Sequence, residues 1–215
     1  MMKPTWKIWH RGRRAAFALI NDRNGVAAIE FAMIVPIMLL LFFGTVELSS
    51  GVAVDRKVTL VARTFSDLVS QNPSVNDTNL SGFFSASCAI MSPYAGPAPC
   101  TATNNPTGGV ISELYIDPAT LQARVQWSVA YQTGTAHGVG TAIASVPAAL
   151  LVGNTYLIYG EASYTYKPAV GYVMAKAGIT MSDVAYTRPR LTVCVTYPTP
   201  TSGALPPCPT ILTPP

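Results

Sequence analysis

The sequence predicts an α+β protein: a long N-terminal transmembrane and amphipathic helix followed by a small antiparallel, β-rich extracytoplasmic domain. Three observations carry this. An apolar run, VAAIEFAMIVPIMLLLFFGTV at residues 26–46, is broken only by Glu30 and Thr45 and follows a basic flank. Apolar positions then recur at helical spacing. Beyond Pro73 the chain turns to Thr, Ser, Gly, Pro, Tyr and Val with two-residue alternation.

The flank comes first in the chain. Of 14 basic and 10 acidic residues, six (Lys3, Lys7, Arg11, Arg13, Arg14, Arg23) and one (Asp22) lie in the first 23 positions, leaving eight and nine beyond. The net charge of +4 is therefore a local flank and not a groove for nucleic acid, and no nucleic-acid partner is expected. Charged residues make up 11% of the chain against 49% apolar, a balance that leans to membrane or extracytoplasmic proteins. Residues 1–24 read as a cytoplasmic leader, because Lys and Arg before a span hold that end inside.

The span is taken as residues 25–47. About 21 helical residues rising about 1.5 Å each cover about 31 Å, the thickness of a bilayer's hydrocarbon core. Lipid offers backbone groups no partners, so a lone span must be helical, and Pro36 should kink it. Lipid is thus the first predicted partner. A cleaved secretory signal, ending near Ser49-Ser50-Gly51, is the rival reading. The run is long for one, and it continues as a helix.

Residues 48–72 form the helical continuation. Val54, Val58, Val61, Phe65 and Leu68 recur at steps of four, three, four and three, while Asp55, Arg56, Lys57, Arg63 and Asp67 lie mostly off that face. Asn72-Pro73 ends the pattern, so one helix is expected from about Gly25 to Gln71.

Residues 73–215 read as the β-rich domain with a Pro/Thr-rich tail from Tyr197 onward. Strands are expected at 110–116, 121–131, 155–166, 179–181 and 191–195 from β-branched and aromatic content. Ala123, Val125, Trp127, Val129 and Tyr131 alternate with Arg124, Gln126, Ser128 and Ala130, as on a half-buried strand. The apolar stretch 169–177 suits either an outer-leaflet contact or a core hairpin. Cys88, Cys100, Cys194 and Cys208 all fall in this region. An even count on an oxidising side suggests disulfides, and four cysteines allow three pairings. The local pairs Cys88–Cys100 and Cys194–Cys208 would each close a modest loop.

Chemistry is hard to find. The two histidines are His10, in the leader, and His137, in the glycine-rich Gly134-Thr135-Ala136-His137-Gly138-Val139-Gly140, which reads as a flexible loop. No G-x-S-x-G, H-E-x-x-H or C-x-x-C occurs, so neither catalysis, metal nor cofactor is expected.

The segment Gly25-Val26-Ala27-Ala28-Ile29-Glu30-Phe31-Ala32, with the following residues to Glu47, resembles the TadE/TadG-like proteins of tight-adherence (Flp) pilus assembly. A glycine, a carboxylate five residues on and an apolar span make the pattern of type IV prepilins and pseudopilins. The resemblance implies a bacterial inner-membrane protein, single pass, with a cytoplasmic N-terminus and a periplasmic domain. It implies a pseudopilin-like role carried by helix packing, with pilin-like subunits as partners. In pilin-like members a prepilin peptidase cuts after the glycine, here Gly25, leaving Val26 first. Glu30 would then pair with the α-amino group of an adjacent subunit. A carboxylate buried in a span costs about 2–3 kcal/mol on insertion scales, so it needs a partner or must snorkel to the interface. The stretches 164–168 and 185–190 also resemble the family's C-terminal part. Larger TadG-like members carry a D-x-S-x-S metal motif, but Asp77-Thr78-Asn79-Leu80-Ser81 lacks its middle serine. The small, TadE-like type fits better. The alternative is a single-pass, membrane-anchored periplasmic protein with an unrelated structural or binding role.

Overall fold

The computed structural model describes residues 24–96, 100–101, 105–168, 178–198 and 208. The leader through residue 23, the stretch 169–177 and most of the tail lie outside the described residues. Among the described residues two α-helices and four strands follow in order, with a short 3-10 helix (Ala148–Leu150) between the second and third strands: α1 (Asn24–Ser70), α2 (Asp77–Met91), β1 (Thr107–Ile116), β2 (Ala123–Tyr131), β3 (Tyr156–Tyr166) and β4 (Ile179–Thr187). The chain divides into two compact units, Met1–Leu48 and Ser49–Pro215, with α1 contributing to both. The α+β class, with a long apolar helix ahead of a four-stranded antiparallel sheet, is the one the sequence predicts.

In the first unit, α1 buries almost nothing. Ile29, Phe31, Met33, Leu40 and Phe42 are each more than 60% exposed, and Pro36 sits inside the helix. Thr45 satisfies its hydroxyl within the helix by donating to the Phe42 carbonyl at 2.8 Å.

In the second unit the same helix is amphipathic. Val54, Val58, Val61, Ala62, Phe65 and Val69 are all at most 1% exposed and pack with Leu80 and Phe84 of α2 and with Ile111, Trp127, Ile158 and Ala162 of the sheet. The stripe ends on Val69 and not, as expected, on Leu68, which is half-buried. A four-residue step from Phe65 keeps the apolar face nearer the helix period than a three-residue step does here.

The sheet order is β2-β1-β3-β4, antiparallel throughout, and all ten residues of central β1 are buried. A bulge breaks the β1–β2 register: Glu113 faces Trp127, but Leu114 faces Val125, leaving Gln126 as the extra residue. The even alternation expected from 123 to 131 therefore does not mark one face. Trp127 joins the helix-side cluster, whereas Ala123 and Val125 join Leu114, Ile116, Val146, Leu157 and Tyr159 in another. One inserted residue turns every later side chain over.

Close packing of α1 on β3 depends on Gly160. A Cβ there would stand 2.6 Å from the Ala62 carbonyl oxygen and 3.0 Å from the Ser66 nitrogen, both backbone atoms that cannot swing aside. Gly160→Ala should therefore force helix and sheet apart and cost about 1–3 kcal/mol, measured by thermal or denaturant unfolding.

The helix α2 is not among the elements the sequence predicts. Its residues, DTNLSGFFSASCAIM, are rich in Ser, Thr and Gly, which are poor helix formers. Two local signals outweigh this. Asn76 caps the N-terminus in a reciprocal box with Asn79 (2.9 and 3.2 Å), and Leu80, Phe84, Ser87 and Met91 form a buried stripe. At the other end, Lys57 of α1 donates its ammonium to the carbonyls of Ile90 (2.6 Å) and Ser92 (2.9 Å). A cation there satisfies orphan carbonyls and favours the helix dipole. Lys57→Met should lower stability by about 1–2 kcal/mol with little change in fold, read as a lower unfolding midpoint with an unchanged circular dichroism spectrum.

Residues 191–195 are not the strand expected of them. They form bends, and only Thr196 makes an isolated parallel bridge, to Ser74. Side chains take the backbone groups of Val195, leaving none for a ladder.

Candidate functional site

The first candidate site is the N-terminal half of α1. Among the described residues, one helix, Gly25–Ser70, is long and apolar enough to cross a membrane. Its exposed face from Val26 to Val46 is far larger than the scattered apolar residues of a water-soluble surface. Gly25, Val26 and Glu30 lie in its first turns, all exposed. A Cβ on Gly25 would meet nothing within 4 Å, and its φ is not in the left-handed region. Packing does not ask for glycine at this position. Glu30 makes no ion pair among the described residues.

The second candidate is a carboxyl at the heart of the sheet. Glu113 on central β1 is 1% exposed and accepts the Val195 backbone N–H at 2.6 Å and the Trp127 indole N–H at 3.0 Å. The same indole N–H lies 2.9 Å from the Val195 carbonyl. Burial pushes the Glu113 carboxyl up to about 8, against the smaller lowering by these two donors. It is therefore mainly neutral at pH 7. One feature of the sequence marks it: a lone acid in the apolar strand VISELYI.

The third is around His137, which is held and not part of a free loop as its glycine-rich setting suggests. Its Nε2 lies 2.5 Å from Glu161 Oε2, and its backbone N–H donates to Ser128 Oγ at 3.0 Å. Tyr159 donates to the other Glu161 oxygen at 3.0 Å and stacks on Tyr186. Sequence spacing does not reveal the pairing, because Glu161 lies 24 residues away. Among the described residues no three His, Cys, Asp or Glu side chains are placed to hold a metal ion.

An open groove of about 600 Å³ runs between α1 and β4, lined by Leu60, Arg63, Asp67, Leu150, Val184 and Tyr186 among others. Its carboxylate, Asp67, is paired with Arg190. Among the described residues that line it, none is a histidine or cysteine that could act as base or thiol nucleophile.

The cysteines form two disulfides, Cys88–Cys100 and Cys194–Cys208, with Cα separations of 5.8 and 5.9 Å. The first ties α2 to the segment before β1, and the second closes a loop within the C-terminal segment.

No curated protein matches the chain. No solved structure matches it either. A family model described as TadE-like protein matches residues 25–64, which are the exposed apolar half of α1 and the start of its buried stripe. Over these residues the chain carries a TadE-like segment, the family its own residues resemble in sequence.

Proposed function

We propose that this protein is a membrane-anchored, pseudopilin-like component of tight-adherence pilus assembly, acting by helix packing and not by catalysis. One observation carries the reading: the TadE-like match falls on the one helix, among the described residues, whose apolar surface is left uncovered. The family suggests the setting of the tight-adherence pilus. The finer role rests on Gly25, Val26 and Glu30.

Gly25 is the clearest of these. Gly25 stands in the first turn of α1, and neither φ nor crowding requires glycine there. Recognition by a prepilin peptidase supplies a reason. Cleavage after Gly25 would leave a free amino group on Val26, one turn from Glu30 along the helix. An ion pair between that amine and Glu30 of an adjacent subunit removes two charges from lipid at once and fixes the axial register of the packed helices. The basic leader, residues 1–24, sets the orientation, with residues 25–47 spanning the inner membrane, 48–72 continuing the helix and 73–215 in the periplasm. The two disulfides support an oxidising compartment for that domain.

Mass spectrometry of the mature protein tests this. Val26 as first residue is the expected result when a tight-adherence prepilin peptidase is co-expressed. Retention of Met1 points instead to a plain membrane anchor with another structural or binding duty. A start near Val52 would mean secretion, against which α1 runs unbroken through Ser49-Ser50-Gly51.

A further inference from the structure

The strand β4 and the helix α1 run side by side. A Cβ on Gly51 would stand 3.8 Å from Met181 Cε, and Thr187 bonds Ser66 through their hydroxyls at 3.0 Å. From Met181 to Thr187 a strand advances about 20 Å. From Gly51 to Ser66 a helix rises about 22 Å, so the two elements are nearly parallel and begin at the same end. That end is the tethered one. Gly51 follows Val46, the last residue of the apolar run, by five residues of α1. The rise is about 7.5 Å in a helix, and any chain of that length reaches at most about 18 Å. Ile179, two residues before Met181, lies about 7 Å further toward this end along β4.

The side chains gathered there suit a lipid surface. Val52 is 46% exposed and Ile179 54%. Lys167 is exposed and lies against Gly178, where a Cβ would meet its Cγ at 3.2 Å. Tyr166, paired with Ile179 across the sheet, meets Tyr94 edge to face with ring centroids 6.3 Å apart, and Tyr164 donates to the Tyr94 carbonyl at 3.2 Å. Tyrosine and lysine with apolar neighbours are the residues of a membrane–water boundary. Leu121 and Val152 are exposed to a similar degree, 49% and 46%, but stand together at the opposite end of the sheet, where β1 ends and β3 begins. From this placement, and resting on the reading that residues 26–46 lie in the bilayer, we propose that the end of the second unit carrying Val52, Lys167 and Ile179 rests on the membrane surface from which α1 emerges. So few side chains bind a bilayer only weakly; the rim orients the domain, and α1 holds it there.

Photolabelling of the full chain tests the proposal. The protein is placed in phosphatidylethanolamine–phosphatidylglycerol vesicles with traces of phospholipid carrying a diazirine on the headgroup or on the acyl chain, illuminated, digested and read by mass spectrometry. Residues 178–181 should take up about tenfold more label than Leu121 and Val152, the ratio that burying one such side chain sets. Ile179→Glu, at an exposed position, should bring that label down to the level of the opposite end while labelling of residues 26–46 stays. Equal label at the two ends, with 26–46 labelled, overturns the proposal and leaves the anchor standing. Label on Val52 without 178–181 overturns it too, since α1 by itself carries Val52 close to lipid. Undiminished label at 178–181 in Ile179→Glu does the same. An unlabelled 26–46 removes the anchor, and the proposal with it.

Discussion

Between pH 4.5 and about 8 the second unit should lose several kcal/mol of stability, and Glu113→Gln should remove most of that loss. In the unfolded chain Glu113 ionises at its ordinary value of 4.5; in the fold, burial holds the proton until about 8. Below 4.5 both states carry the proton, and the contribution of this residue is intact. Above 4.5 the unfolded chain releases it and the folded one does not, so stability declines as pH rises and levels off past about 8. At about 1.36 kcal/mol per pH unit, the whole window is worth about 5 kcal/mol at most. Asp117 works in the opposite direction at lower pH. Its carboxyl is held below the usual value, chiefly by the Ala119 N–H and then by Thr120, so it adds an acid limb below about 4.

The substitution makes the test sharp. The glutamine introduced by Glu113→Gln could still accept the Val195 N–H, while its amide would face the indole N–H, which keeps the Val195 carbonyl as acceptor. That mismatch costs about 1 kcal/mol. Glu113→Gln should therefore be slightly less stable than wild type at about pH 4 and more stable at about pH 9. The two curves of unfolding midpoint against pH should cross. Parallel curves would mean that Glu113 does not keep its proton in the fold.

The parts of this molecule legible in the sequence are those set by local periodicity. The long apolar helix and the stripe from Val54 follow from apolar run and spacing, because burial on one helix face imposes a period of 3.6, and four of the five expected strands follow from β-branched and aromatic content. The misses share a cause. The α2 helix is made of residues with weak propensity and is stabilised by its cap, by Lys57 from α1 and by packing on Phe65, none of which a composition window records. The bulge at Gln126 is a single-residue event inside a regular pattern. Residues 191–195 have strand composition, but Glu113, 82 positions before Val195, takes the Val195 N–H and Trp127 takes its carbonyl. For the candidate site, Gly25 and Glu30 stand out in sequence because they are out of place in an apolar helix. Glu161 does not, since an acid on a half-polar strand is ordinary and its partner His137 arrives by the fold.

A chain beginning at Ser49 should be recovered in the aqueous phase, whereas the full chain should stay with membranes through a carbonate wash and need detergent to leave them. The difference is the exposed surface of residues 26–46. Each large apolar side chain left in water forgoes about 1.5–3 kcal/mol of burial, and more than ten of them lie uncovered on this stretch. Tens of kcal/mol therefore separate the helix in lipid from the helix in water. The truncated chain faces no such penalty, because residues 26–46 are gone and the helix stripe that remains, from Val54 on, packs on its own sheet. Short helices are unstable alone, so 49–70 must be held by Val54, Val58, Val61, Phe65 and Val69 against the sheet and α2. A circular dichroism spectrum retaining that helix would show the second unit folding without the first. A truncated chain that still sedimented with membranes would place the lipid contact in residues 49–215. A full chain washed free by carbonate would remove the anchor, and with it the basis for reading Glu30 as a charge sunk in the bilayer.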